Sequence, residues 1–103
     1  MTDLQANLAK LAPCLDRVRV SGVQNLIDGN LVSAISGATF ETTSPVDGSM
    51  ICTVARSGPA DVDAAAEAAK RAFPAWRDFP AAERKRVLHR IADGIVARAD
   101  EIA

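Results

Sequence analysis

Six large aliphatic residues repeat at helical spacing near the carboxyl end of the chain, and they constrain the fold more than any other feature. They are Val87, Leu88, Ile91, Ile95, Val96 and Ile102. On one helix these positions form a single wide apolar stripe. Burying a large aliphatic side chain contributes roughly 1.5–3 kcal/mol, so the six positions require about 10–18 kcal/mol of burial. We therefore predict that more chain or a second subunit covers the stripe, with self-association through this face.

Length and charge exclude several functional classes. The chain has 103 residues, 49% apolar and 24% charged, with 12 basic and 13 acidic side chains. This composition is typical of one small globular domain. The near-zero net charge predicts no binding to nucleic acid and none to an anionic membrane. The amino terminus lacks the pattern of a secretory signal, so we expect a cytoplasmic protein.

Residues 1–23 form a leader whose apolar residues also repeat at helical spacing. These are Leu4, Leu8, Leu11, Leu15 and Val18. Pro13 lies within the repeat and lacks a backbone donor. We predict a short amphipathic helix from about Asp3 to Ala12, followed by a kink. The leader then either packs on its own domain or frays, the alternative being a partner helix or a membrane-surface anchor.

The period changes in residues 24–56, which predict antiparallel β hairpins. Residues 25–32 predict two short strands around the tight turn Asp28-Gly29. Residues 39–43 are rich in β-branched and aromatic side chains, and residues 50–55 predict a further strand. The segment Val46-Asp47-Gly48-Ser49 supplies the turn between them.

Residues 58–103 return to a helical period and predict two helices. Gly58 is suited to the N-cap, Pro59 to the first turn and Asp61 to the positive end of the helix dipole. Pro74 is expected to end this first helix, leaving Trp76 in the connection, and Pro80 to open the second. The apolar face of the first helix is expected at Val62, Ala65, Ala66, Ala69 and Phe73. The fold class is therefore α+β.

Several short motifs occur in order and together resemble one family. They are Leu26-Ile27-Asp28-Gly29, Ser44-Pro45-Val46-Asp47-Gly48, Ala72-Phe73-Pro74-Ala75-Trp76 and Pro80-Ala81-Ala82-Glu83-Arg84. From about Leu26 to Ala103 the chain resembles the amino-terminal portion of the NAD(P)-dependent aldehyde dehydrogenase superfamily. The resemblance implies that residues 24–103 are the start of an α/β, Rossmann-like NAD(P)-binding domain. Ser44 stands where the family usually has Asn.

The resemblance also implies which groups this chain lacks. The family uses a nucleophilic Cys, a general-base Glu and an oxyanion-holding Asn, all in later motifs. Neither Cys14 nor Cys52 lies in the nucleophile's motif, and no G-x-G-x-x-G loop occurs. We therefore assign no catalytic, cofactor-binding or metal residue here. NAD or NADP and an aldehyde substrate are expected only for a complete family member.

Three further groups of residues are weaker candidates for a functional site. By resemblance, the backbone carbonyls of Thr42 and Thr43 could supply half of a monovalent-cation site, although plain strand residues are the simpler interpretation. His89 has no nucleophile or orienting carboxylate at a suitable spacing. The basic residues beside it could bind nucleic acid, but we favour a solvated face with salt bridges. They are Arg84, Lys85, Arg86 and Arg90.

Two functions follow from these observations. The first is an amino-terminal fragment of an aldehyde dehydrogenase, inactive by itself, because the sequence ends within an apolar helical pattern that has no stop signal. The alternative is a stand-alone helical interaction or oligomerisation module without catalysis. The aldehyde, the choice between NAD and NADP and the oligomeric state are not encoded in these residues.

Overall fold

The computed structural model describes residues 2–103, and within them it has four helices and two antiparallel hairpins. The elements are α1 Asp3–Ser21, β1 Asn25–Ile27, β2 Asn30–Val32, β3 Thr39–Thr43, β4 Met50–Ala55, α2 Pro59–Asp78, α3 Ala81–Ala97 and α4 Ala99–Ile102. The predicted α+β class is confirmed. Two compact units, residues 1–68 and 69–103, are described in turn.

Both predicted hairpins are confirmed. Strand β1 pairs with β2, with Leu26 opposite Leu31. The turn between them needs positive φ at both central residues, and Asp28 (53°) and Gly29 (77°) supply it. Strand β3 pairs with β4 from Thr39 opposite Ala55, with a register shift between Thr42 and Thr43. The expected turn over residues 46–49 joins these strands.

Helix α1 is longer than predicted, because it continues through Pro13 without a break to Ser21. Proline removes one i→i−4 hydrogen bond, and the carbonyl left free at Ala9 is on an exposed residue, where water can hydrate it. A capping box between Thr2 and Gln5 fixes the first turn. Helix α1 contacts β4. Its half-buried residues are Ala6 before the proline and Cys14, Leu15 and Val18 after it.

Gly22 and Val23 tie the end of α1 to β4. The N–H of Gly22 donates to the Val18 carbonyl at 2.8 Å and closes the helix. Val23 then forms a parallel bridge with Val54. Its N–H donates to the Thr53 carbonyl, and its own carbonyl accepts from the Ala55 N–H, both at 2.8 Å. The leader is therefore joined to the second hairpin by backbone hydrogen bonds.

Helix α2 begins at Pro59 as predicted, but the prediction that Pro74 ends it is wrong. The helix runs to Asp78, so Trp76 lies inside it. Pro74 cannot donate to the Lys70 carbonyl, and both residues are exposed. Hydration of that carbonyl again offsets the missing hydrogen bond. The rings of Trp76 and Phe79 stack across the helix end, with centroids 6.1 Å apart.

The buried face of α2 is not the predicted one. Asp61 is 5% exposed and Ala68 is 7% exposed, with Ala64 half-buried between them. The expected apolar face is instead open, since Val62 is 64% exposed and Phe73 57% exposed. The rotation of α2 follows the hydrogen bonds of Asp61 described below rather than the apolar pattern.

The expected single last helix is two helices, α3 and α4, separated at Arg98. Arg98 has φ −114° and ψ 23°, outside the helical range, and its N–H reaches both the Gly94 and Ile95 carbonyls at 3.2 Å. Its guanidinium forms a two-pronged ion pair with Glu101, with donor–acceptor distances of 2.8 and 2.9 Å. This pair links the two helices across the break.

Candidate functional site

Asp61 connects the loop after β2 to the first turn of α2. One carboxylate oxygen accepts the Ile35 N–H at 2.9 Å, and the other accepts the Gly58 N–H at 2.9 Å. Asp61 is the third residue of α2, a position from which a side chain reaches back to the N-cap amide. The bond to Ile35 joins segments 26 residues apart in the sequence.

The two hydrogen bonds set the charge state of Asp61. Donation from the Gly58 N–H, and then from the Ile35 N–H, lowers the pKa of Asp61 below its ordinary value of 3.8. Asp61 therefore carries a full negative charge at neutral pH, at the amino-terminal end of α2. The Asp61 carboxylate therefore already interacts with the positive end of the helix dipole and with the N-cap amide of α2.

The hydrogen bonds of Asp61 bear on whether the N-terminus of α2 could bind the pyrophosphate of a dinucleotide. In α/β folds the pyrophosphate binds to free amides at a helix N-terminus that follows a strand and a Gly-rich turn. Helix α2 follows β4, but Asp61 engages its N-cap amide and would repel a phosphate. Helix α3 has Pro80, which lacks an N–H, at its N-cap position and Glu83 in its first turn. Neither of these two helix N-termini therefore has the Gly-rich turn and free N-cap amide of such a phosphate site.

A polar cluster lies beside Asp61, between β1 and α2. The Ser57 hydroxyl donates to Asn25 Oδ1 at 2.7 Å. Both side chains line a cavity of about 200 Å3. Its remaining walls are Leu26, Ile27, Asp61, Val62 and Ala65. The sequence predicts Asn25 only as a strand residue, and no local signal marks it for a polar role.

The cysteines and threonines singled out from sequence lie apart from this cluster. Cys52 is 3% exposed in the middle of β4, opposite Thr42, where an aldehyde has no access. Cys14 is half-buried on α1, and both thiols are free. Thr42 and Thr43 flank the register shift of β3. Among residues 2–103, no three His, Cys, Asp or Glu side chains are grouped closely enough to hold a metal ion.

His89 lies on the exposed surface of α3, next to Arg84 and Lys85. These side chains border an open hollow with Leu88 and small alanines, without a carboxylate that could orient the imidazole. Arg86 pairs with Glu83, with Nη1 at 2.8 Å from the carboxylate oxygen. The expected salt bridge on this face is therefore present.

The aliphatic stripe of α3 and α4 is largely exposed in the unit of residues 69–103. Val87 is half-buried, and the other five members are exposed, by 53% at Ile95 and by 76% at Val96. Apolar surfaces of this kind mark interfaces. In the described part of the chain, no helix is both long and apolar enough to cross a bilayer.

Comparison with known proteins identifies the family. A sequence model of the aldehyde dehydrogenase family matches residues 31–103, and the chain belongs to this family. Over 80 residues it is 44% identical to a 2-hydroxymuconic semialdehyde dehydrogenase of Pseudomonas sp. (strain CF600). That alignment covers 77% of this chain but 16% of the relative, in the relative's amino-terminal portion.

Solved structures agree with this assignment. PnpE, crystallised in complex with nicotinamide adenine dinucleotide, is 49% identical, with a TM-score of 0.74 over 77% of this chain and 16% of PnpE. HpcC from Thermus thermophilus is 36% identical, with a TM-score of 0.85 over 91% of this chain and 18% of HpcC. These structural matches confirm the expected fold class, which is consistent with the start of a Rossmann-like domain.

Proposed function

We propose that the complete protein is an NAD(P)-dependent aldehyde dehydrogenase, which oxidises an aldehyde to a carboxylic acid or a thioester. The observation that carries the proposal is the family match over residues 31–103, combined with 44% identity to a named semialdehyde dehydrogenase. The bound cofactor supplies the hydride acceptor. The chain spans about one sixth of the length of the relatives that it matches, 16%, so the catalytic groups belong to other parts of the enzyme.

Within that enzyme, we assign residues 1–23 to a leader and residues 24–103 to the start of the NAD(P)-binding domain. The role of this segment is to support the cofactor domain, because Asp61 closes the N-terminus of α2 and Cys52 is inaccessible. We expect the 103-residue chain to be inactive alone. The free thiols of Cys14 and Cys52 support a reducing, cytoplasmic location.

The test is an activity assay of the complete protein with a panel of aldehydes, each offered with NAD+ and with NADP+. A semialdehyde is the first substrate to assay, because two relatives at 44% identity carry that name. We expect reduced cofactor and the matching acid to appear in equal amounts, or the thioester where a thiol acceptor is added to the assay. Absence of turnover with every aldehyde, in a protein that is folded and saturated with cofactor, would refute the proposal.

The exposed stripe on α3 favours a second candidate, an interaction or oligomerisation module. Light scattering after size-exclusion chromatography tests it with Leu88→Gln combined with Ile91→Gln. Arg90→Gln is the control, because position 90 lies off the apolar stripe, about 160° around α3 from Leu88 and about 100° from Ile91. If the unmodified chain and Arg90→Gln form a defined oligomer and the double variant is a monomer, the module is favoured. A monomer in all three proteins would contradict it.

A further inference from the structure

Two Asp-Gly pairs lie in turns of the unit of residues 1–68, and they present the same chemistry in different settings. They are Asp28-Gly29 at the tip of the first hairpin and Asp47-Gly48 between β3 and β4. In such a pair the backbone nitrogen of the glycine can attack Cγ of the aspartate, because glycine has no side chain to hinder the approach. The carboxyl group must be protonated, since its hydroxyl leaves as water. The product is a five-membered cyclic imide.

The backbone of Asp28 already has one of the two angles that this imide needs within a tight hairpin. The values of φ, 53° at Asp28 and 77° at Gly29, define a type I′ turn. Ring closure holds ψ of Asp28 at about −120°, which together with a positive φ is the first central residue of a type II′ turn. Types I′ and II′ are both two-residue hairpin turns, and they differ by a flip of the central peptide, which Gly29 tolerates. Ring closure at Asp28 therefore requires a peptide flip but no unpairing of the strands.

The Asp28–Gly29 peptide lies outside the ladder of hydrogen bonds between β1 and β2. The last pair of the ladder is Ile27 opposite Asn30. The Asp28 carbonyl accepts from Asn30 Nδ2 at 3.2 Å, which is near the upper end of the range for such a bond. This exposed contact breaks when the peptide flips, so Asn30 slows ring closure.

At Asp47-Gly48, by contrast, hydrogen bonds hold both reacting groups. The Ser49 hydroxyl donates to Asp47 Oδ1 at 2.7 Å, and the Ser49 N–H donates to the same oxygen at 3.0 Å. These two bonds lower the pKa of Asp47 below its ordinary value of 3.8, so the protonated carboxyl group is scarcer. The attacking group, the Gly48 N–H, donates to the Ser44 carbonyl at 2.9 Å. Attack at Asp47 therefore requires Gly48 to leave Ser44 and the carboxyl group to leave Ser49.

We propose that Asp28 is a site of spontaneous isomerisation to isoaspartate, and that Asp47 is protected from it. The Gly29 nitrogen bonds to Asp28 Cγ and gives up its proton, and the carboxyl hydroxyl leaves with that proton as water. Both residues are exposed, so a second water molecule reaches the imide and hydrolyses it. Cleavage between nitrogen and Cγ restores aspartate, whereas cleavage between nitrogen and the main-chain carbonyl carbon gives isoaspartate. Isoaspartate adds one methylene group to the backbone, so the two-residue turn no longer fits between Ile27 and Asn30.

The experiment incubates the 103-residue chain at neutral pH and measures isoaspartate at each pair. A protein isoaspartyl methyltransferase labels the product with a methyl group from S-adenosylmethionine, and peptide mass spectrometry locates the label. We expect isoaspartate to form at least about tenfold faster at Asp28 than at Asp47, because more hydrogen bonds must break at Asp47. In guanidinium chloride the two pairs should react at similar rates. Equal rates in the folded chain overturn the proposal, as does a difference that persists in the denaturant, because local sequence would then be its cause.

The variants Asp28→Asn and Asp47→Asn form a matched pair that removes the need for a protonated carboxyl group. The side-chain nitrogen leaves as ammonia and the same imide forms, so geometry alone separates the two. We expect Asp28→Asn to deamidate at least about fivefold faster than Asp47→Asn, and equal rates overturn the proposal.

The variant Asn30→Ala tests the peptide flip, because it removes the hydrogen bond to the Asp28 carbonyl. Isoaspartate should form about two- to tenfold faster at Asp28, with no change at Asp47. An unchanged or slower rate at Asp28 contradicts the flip. These readouts do not depend on dehydrogenase activity, so they remain valid if the proposed reaction fails.

Discussion

Gly22 is the residue at which a single added methyl group should cost most, because it faces two independent restrictions. Its backbone has φ 65° and ψ −172°, a region that only glycine occupies readily. A Cβ placed there would lie 2.8 Å from both the carbonyl oxygen and the hydroxyl of Thr53. Gly22→Ala should therefore disturb the connection between α1 and β4.

The two restrictions give the size of the effect. Backbone strain in this region costs about 1–3 kcal/mol, and forcing an extra methyl group into close contact costs about 1–3 kcal/mol more. The expected loss of stability is therefore about 2–6 kcal/mol. Gly37→Ala is the matched control, since Gly37 has φ 74° but nothing within 4 Å of its added Cβ. Only the strain remains there, at about 1–2 kcal/mol.

Amide hydrogen exchange of Val23 and Ala55 measures this difference directly, because their N–H groups form the bridge next to Gly22. We expect at least tenfold faster exchange of both amides in Gly22→Ala than in the unmodified chain, since about 1.4 kcal/mol corresponds to a factor of ten. Equal effects of Gly22→Ala and Gly37→Ala would refute the reasoning, because the contact with Thr53 would then contribute nothing.

Three further predictions concern the helices. The folded-state pKa of Asp61 is lowered, so the stability from its hydrogen bonds is fully present above pH 3.8 and is lost as the pH falls through the lower folded-state pKa. The Ile35 amide should lose protection from hydrogen exchange over that pH range. In Asp61→Asn the same amide should lose protection at neutral pH. Pro13→Ala restores a helix hydrogen bond and should stabilise α1 by up to about 3 kcal/mol in a thermal melt, whereas an unchanged melt would mean that α1 frays before position 13. Gly94→Ala meets no atom within 4 Å and should raise the helical circular dichroism signal, stabilising α3 by about 0.5–1 kcal/mol; a loss of signal would contradict an open helix face at this position.

The hairpins were predictable because their information is local. Asp28-Gly29 tolerates the positive φ values of a two-residue turn, and the flanking residues pair across it in the only register that such a turn allows. The strand from Thr39 to Thr43 likewise combined high β propensity with a following Pro. In both cases propensity and turn chemistry indicate the same structure.

The helix ends were less predictable because exposure decides what a proline costs. Pro13 and Pro74 both lie inside helices whose freed carbonyls are open to water. A sequence does not reveal that exposure before the fold is known. The break at Arg98 carries no Gly or Pro signal, and the ion pair between Arg98 and Glu101 spans it.

The polar contacts around α2 depend on long-range geometry. The position of Asp61 indicated a charge suited to a helix N-terminus, but nothing local indicates that Ile35, 26 residues earlier, supplies a second donor. Asn25 and Ser57 are 32 residues apart and have no shared motif. Such pairs become visible only once the hairpin and α2 have been placed together in the unit of residues 1–68.

We propose above all that this segment supports a cofactor domain without itself binding the cofactor, because the Asp61 carboxylate places a negative charge on the amide at the N-terminus of α2. Saturation-transfer NMR with NAD+ tests this claim most directly, with PnpE, which was crystallised with the dinucleotide, as the positive control. We predict transfer to NAD+ from PnpE and none from the purified 103-residue chain. Saturable transfer from the 103-residue chain would contradict the claim.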